Sequence, residues 1–140
     1  MEKIKINSLE QMNEFALKLI PFLKKDTYLL LNGDLGAGKT TLTKMILKNL
    51  GVTEVVSSPT FVILNQYSIQ NLNINHMDAY RLTKSDDPEE FEEQFSNSLN
   101  IIEGSENLDI DFQKLKTIII NISLDDETRT VELEGVEFNV

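Results

Sequence analysis

The sequence predicts a single α/β domain spanning residues 1–140, with a mixed central sheet flanked by helices and antiparallel hairpins in its second half. Three observations carry this. A buried-strand run, Tyr28-Leu29-Leu30-Leu31, leads into a glycine-rich turn and then a helical stretch to Leu50. Several short apolar runs separated by polar turns follow it, as strands in hairpins do. And 140 residues with 41% hydrophobic content suffice for one core, whereas two halves would each be too small.

Taken in order, Ile4 and Ile6 predict a short first strand ended by Asn7. Ser8 with Gln11 three residues later forms a capping box, and Leu9, Met12, Ala16, Leu19, Ile20 and Leu23 recur at helical spacing. Pro21 removes a helical hydrogen bond, so a kink there or a stop at Ile20 is expected. A strand from Thr27 to Leu31 follows. After the glycine-rich turn, Leu42, Met45, Ile46 and Leu50 mark a helix face, with Gly51 placed for a left-handed C-cap.

Ser57-Ser58-Pro59-Thr60 reads as a connector, because Pro59 biases Ser58 away from helix. Thr60 to Tyr67 and Leu72 to Met77 read as an antiparallel hairpin. Asp86-Asp87-Pro88-Glu89-Glu90 has the capping aspartate, first-turn proline and acids of a helix start, with Phe91 and Phe95 one turn apart behind it. Leu99 to Ile102 is a strand closed by Glu103. Residues 104–115 are loop-like with a helical turn near Phe112. Ile118 to Leu124 is strand, Asp125-Asp126-Glu127 a turn, and Thr130 to Val140 a strand whose register changes at Gly135.

The turn after the first buried strand is Gly33-Asp34-Leu35-Gly36-Ala37-Gly38-Lys39-Thr40, which fits G-x-x-x-x-G-K-[ST]. Strand, glycine loop and helix in that order define the P-loop NTPase fold. Glycines let successive backbone N–H groups turn toward phosphate oxygens, and the helix starting near Lys39 points the positive end of its dipole at the same place. Lys39 is expected to reach the β- and γ-phosphates, and the Thr40 hydroxyl to ligate Mg²⁺.

Such a loop needs an acid near the metal, usually at the end of an apolar strand. Two compete: Glu103, and Asp78 closing Ile74-Asn75-His76-Met77. Spacing leaves open which ligates the metal and which positions water. His76 is the only histidine, and a strand that persists to Asp78 would put both side chains on one face; a lone histidine is more often structural than catalytic. Of the two arginines, Arg129 reads as a surface residue, while Arg81 is open between surface and phosphate roles.

Composition excludes several classes. There is no cysteine, hence no disulfide framework or thiolate zinc site. No run approaches the ~18 apolar residues of a membrane span, and the first residues lack a signal-peptide core, so a cytoplasmic location without membrane contact is expected. Net charge is −10: residues 1–80 carry eight lysines against seven acids, residues 81–140 five basic residues against sixteen acids. Without a basic surface, independent binding to nucleic acid is disfavoured. No N-K-x-D run reads guanine. Two arginines are too few for the lid and acceptor pocket of a small-molecule kinase.

Together the motifs resemble the TsaE (YjeE) family, small bacterial ATPases of tRNA threonylcarbamoyladenosine biosynthesis. The resemblance runs from about Ile4 to Glu106 and rests on the glycine loop through Thr41, on Ser58-Pro59-Thr60-Phe61, on His76-Met77-Asp78-Ala79-Tyr80-Arg81-Leu82, and on the strand ending in Glu103. The loop is common to many nucleotide enzymes; the combination in this order is far more specific. It implies slow hydrolysis of ATP with Mg²⁺, in concert with two partner subunits of sugar-kinase-like fold, tRNA being reached only indirectly. It further implies that Gly36, Ala37, Gly38, Lys39, Thr40 and Thr41 bind ATP, with Ser8 near the adenine, that Thr40 and Glu103 ligate Mg²⁺, that Asp78 serves hydrolysis beside Lys39, and that Ser58 and Thr60 belong to a switch-like loop. One departure stands out: the family usually reads E-W-P-E where this chain has Glu103-Gly104-Ser105-Glu106. The rival readings are a binding module whose nucleotide occupancy alone organises partners and, less favoured, a small-molecule kinase.

Overall fold

The computed structural model describes residues 2–34, 37–53, 64–70, 72–81, 93–108 and 110–136, with the main chain alone at Arg81. Its elements are β1 (Glu2–Ile6), α1 (Leu9–Leu19), β2 (Tyr28–Gly33), α2 (Lys39–Leu50), β3 (Leu64–Ile69), β4 (Leu72–Asp78), β5 (Ser98–Glu103), β6 (Thr117–Asp125) and β7 (Thr128–Glu134). The described strands form one seven-stranded sheet in the order β1-β7-β6-β2-β5-β4-β3. The four central strands β6, β2, β5 and β4 run parallel, and antiparallel strands flank them on both sides. The predicted α/β class, mixed sheet and second-half hairpins are all present.

Strand alternation divides the core in two. Leu29, Leu31, Ile74, Leu99 and Ile101 point to the face that α1 and α2 cover with Met12, Phe15, Ala16, Leu19, Leu42, Ile46 and Leu47. Leu30, Met77 and Ile102 point the other way, under Phe95, Leu108 and Phe112. There Tyr28 meets the Phe95 and Phe112 rings edge-on, with centroids 5.9 and 5.8 Å away.

The helix ends follow the sequence signals. Ser8 Oγ accepts from the Gln11 N–H at 3.1 Å, while the Gln11 side chain reaches back to the N–H of Asn7 at 2.7 Å, one residue before the expected partner. α1 stops at Leu19, and Pro21 lies in a single 3-10 turn, Ile20–Phe22. α2 begins at Lys39 and ends on Gly51 in the left-handed region, whose N–H bonds the carbonyls of Leu47 and Lys48.

One sequence expectation is corrected here. Leu9 does not share the buried face of α1 and is 65% exposed; Phe15 takes its place in the core. Leu9 immediately follows the N-cap, where the helix has not yet turned onto the sheet. β7 spans Thr128–Glu134, with Gly135 in the left-handed region just after it; the register change expected there rests on residues 137–140. Residues 137–140, the connector and strand start at 57–63, and the helix start at 86–91 lie outside the described residues.

Candidate functional site

The site lies at the carboxyl ends of the parallel strands, on the helix-covered face. β2 sits between β5 and β6, and the chain leaving it enters the glycine loop, the crevice position in which open α/β sheets bind ligands. Gly33 is required there: a Cβ would come 2.5 Å from the carbonyl oxygen of Ile122 on β6. The Ala37 N–H closes a turn on Asp34 O at 3.0 Å, and Gly38 caps α2 in the left-handed region. No side-chain hydrogen bond caps this end, and its first turn carries no acid. The positive end of the α2 dipole, with no acid in its first turn, therefore favours an anion here.

Lys39 donates from Nζ to Gly33 O at 2.6 Å and to the Tyr80 hydroxyl at 3.1 Å, with Nζ 4.6 Å from the Tyr80 ring centroid. The lysine therefore arches back over its own loop toward the end of β4. Ala37 is buried; Gly38, Thr40 and Thr41 are half-buried.

The two competing acids turn out to be neighbours. In the parallel pairing of β4 with β5, Asp78 is opposite Glu103 and His76 opposite Ile101; Glu103 in turn is opposite Leu31 of β2. Since Leu31, Ile74 and Ile101 face the helices, alternation puts His76, Asp78 and Glu103 on that same face. The expectation that His76 and Asp78 share one strand face holds, because β4 continues through Asp78. His76 Nε2 lies 2.8 Å from Glu103 Oε2, with the imidazole fully buried and Glu103 only 7% exposed. Asp78 Oδ1 accepts from the Tyr80 N–H at 3.0 Å.

Beyond the strand ends, Tyr80 is fixed from two sides. Asn107 Nδ2 donates to Ala79 O at 3.1 Å. Gly104, in the left-handed region at φ 75°, lies so close that a Cβ would sit 2.7 Å from Tyr80 N and 2.8 Å from its Cγ. In this chain, then, Tyr80 packs directly on the residue after Glu103.

Arg129 corrects the surface reading made from sequence. It projects from β7 onto the glycine loop, where Nε donates to Ala37 O at 2.9 Å. A Cβ on Gly38 would meet that same Nε at 3.0 Å. Only the three-dimensional pairing of β7 with β6 brings it there.

The structure thus brings together Lys39, Thr40, Thr41, Asp78 and Glu103 around one strand-end crevice, and adds Tyr80, His76 and Arg129. Ser8 is exposed at the head of α1, where its hydroxyl serves as helix cap. Gly36, Ser58 and Thr60 lie outside the described residues. Among those residues no cluster of three or more His, Cys, Asp or Glu forms a metal cage. The donor set present, one hydroxyl and one or two carboxylates beside the glycine loop, is of a kind that suits a magnesium ion.

The chain is similar to known proteins over most of its length. Residues 6–131 match the family described as "Threonylcarbamoyl adenosine biosynthesis protein TsaE". The chain is 40% identical over 126 residues to a Haemophilus influenzae protein named tRNA threonylcarbamoyladenosine biosynthesis protein TsaE, covering 86% of this chain and 76% of that one. A Rickettsia bellii protein of the same name is 37% identical over 130 residues, covering 89% and 88%. Among solved structures, the crystal structure of Bacillus subtilis YdiB superposes with a TM-score of 0.73 at 28% identity, over 93% of this chain and 82% of that one.

Proposed function

Because the chain belongs to the TsaE family of tRNA threonylcarbamoyladenosine biosynthesis proteins, we propose that it binds ATP with Mg²⁺ and hydrolyses it to support that modification, acting with two partner subunits of sugar-kinase-like fold. The observation that carries the proposal is the pairing of Asp78 with Glu103 on the helix-covered face, one strand away from the end of β2 where the phosphate loop begins. An acid pair beside a phosphate cradle, in a chain whose two arginines are too few for an acceptor lid, makes water the natural phosphoryl acceptor.

In this reading the amides of Gly36 to Thr41 cradle the phosphates, with Ser8 near the adenine. Lys39 leaves Tyr80 to neutralise the β- and γ-phosphates, an exchange favoured by the stronger charge-assisted bond. Thr40 and Glu103 hold Mg²⁺, which when bound offsets phosphate charge during transfer. Asp78, next to Glu103, orients the attacking water and accepts its proton. Ser58 and Thr60 respond to the γ-phosphate. Contact with tRNA is made through the partners. No described helix is long and apolar enough to cross a membrane, in keeping with action in the cytoplasm.

Affinity capture from the source cell with ATP present tests this reading. Two sugar-kinase-like proteins should be recovered, and Lys39→Ala should abolish ATP binding. Recovery of neither protein, or phosphorylation of an added metabolite from labelled ATP in place of phosphate release, would refute it.

A further inference from the structure

His76 is buried without exposure between Ile74 and Asp78 on β4, opposite Ile101 of β5. An aliphatic residue would suit this position. The imidazole instead spends one nitrogen on Glu103, while Nδ1 has no hydrogen-bond partner among the described residues. Leaving a buried polar atom unpaired costs about 1–3 kcal/mol. A histidine serving packing alone would more naturally satisfy both nitrogens; one satisfied only through a carboxylate is arranged for that carboxylate.

We propose that His76 is a positioning residue for the metal-ligating carboxylate: its Nε2–H holds Oε2 of Glu103 and so fixes the side chain with its other oxygen left for the cation. A carboxylate can only accept, so a hydrogen sits on Nε2. Glu103 has three side-chain torsions and, among the described residues, no other hydrogen-bond partner. Without the imidazole its carboxylate samples several rotamers, and ordering them on metal binding costs affinity. Partners of this kind around metal ligands are worth about tenfold to a hundredfold in metal affinity. This inference rests on the Mg²⁺ role proposed for Glu103.

The test reads metal binding directly, with Mn²⁺ as a spectroscopic stand-in for Mg²⁺ in the ATP complex. His76→Gln places an amide N–H near the position of Nε2 and should keep Mn²⁺ affinity within about threefold. His76→Asn is too short to reach Glu103 and should lose about tenfold or more, with metal-free ATP binding unchanged in both. Equal Mn²⁺ affinity in the two variants would overturn the inference. Because the chain has a single histidine, ¹⁵N spectra of the unsubstituted protein add a readout that needs no variant. They should show the Nε2–H tautomer, with the Nε2 line moving when Mg²⁺ joins the ATP complex and not with ATP alone. An Nδ1–H tautomer, or a line indifferent to Mg²⁺, contradicts the proposal. Glu103→Ala separates the two levels: unchanged Mn²⁺ affinity there refutes the metal assignment itself, whereas loss there with His76→Asn unaffected refutes only the role of His76.

Discussion

Arg129 Nε donates to the carbonyl oxygen of Ala37 at 2.9 Å across 92 residues of sequence, tying β7 to the glycine loop. A hydrogen bond from a charged donor in this half-buried setting contributes about 1–2 kcal/mol. Arg129→Met should therefore lower the melting temperature by about 3–6 °C. If roughly half of that energy comes from holding the loop in its binding shape, ATP affinity falls about threefold. Calorimetric titration beside a thermal melt checks both, and a variant with unchanged melting and unchanged affinity would show the contact to be idle.

Gly104 occupies the left-handed region, and a Cβ there would press on Tyr80 N and ring. Gly104→Ala combines backbone strain of about 1–2 kcal/mol with that clash, and should destabilise the protein by about 2–4 kcal/mol in urea unfolding. Gly104→Trp, restoring the aromatic usual in the family, should be no better tolerated, because Tyr80 already fills the space. Parent-like stability of either variant would mean that Tyr80 readily moves aside.

On the face away from the helices, Gln66, Asn75 and Asn100 lie in register on β3, β4 and β5 as an amide ladder. Asn75 accepts from Gln66 at 3.1 Å and donates to Asn100 Oδ1 at 2.8 Å and to Gln94 O at 2.7 Å. Asn75→Leu takes the donor from Oδ1 of Asn100, a fully buried residue, and should cost about 2–3 kcal/mol. Asn75→Leu with Asn100→Leu should cost less than the two single changes summed. Simple additivity would contradict a coupled network.

The corrected face of α1 is tested by a pair of changes. Leu9→Gln, at an exposed position, should alter stability by no more than about 0.5 kcal/mol. Met12→Ala, inside the core, should cost about 2–5 kcal/mol. Denaturant midpoints compare them, and a larger loss at Leu9 would reverse the assignment.

What the sequence made legible was local. The glycine loop between a strand and a helix, the Ser8 cap, the Gly51 cap and the stop at Pro21 each depend on neighbours within a few residues, and each was readable. Leu9 misled because periodicity counts its spacing but not that the first residue after a cap faces solvent. The acid pair was half-readable: strand-end position pointed to Asp78 and Glu103, but their adjacency depends on the register of β4 against β5. The same register creates the His76–Glu103 contact across 27 residues, and no spacing rule announces it. Arg129 was hidden for the same reason, since an isolated arginine on a strand carries no mark of which loop it reaches.

In the proposed function the Asp78–Glu103 pair makes a phosphate cradle into a water-using ATPase whose turnover serves tRNA modification. The most direct measurement is phosphate release and threonylcarbamoyladenosine formation by Asp78→Ala in a reconstituted reaction with both partner subunits. The account predicts ATP affinity within about threefold of the parent, phosphate release reduced by about a hundredfold or more, and modification that stalls after the first turnover. Sustained modification by a variant that binds ATP without hydrolysing it would contradict the account, and would make nucleotide binding alone the organising event.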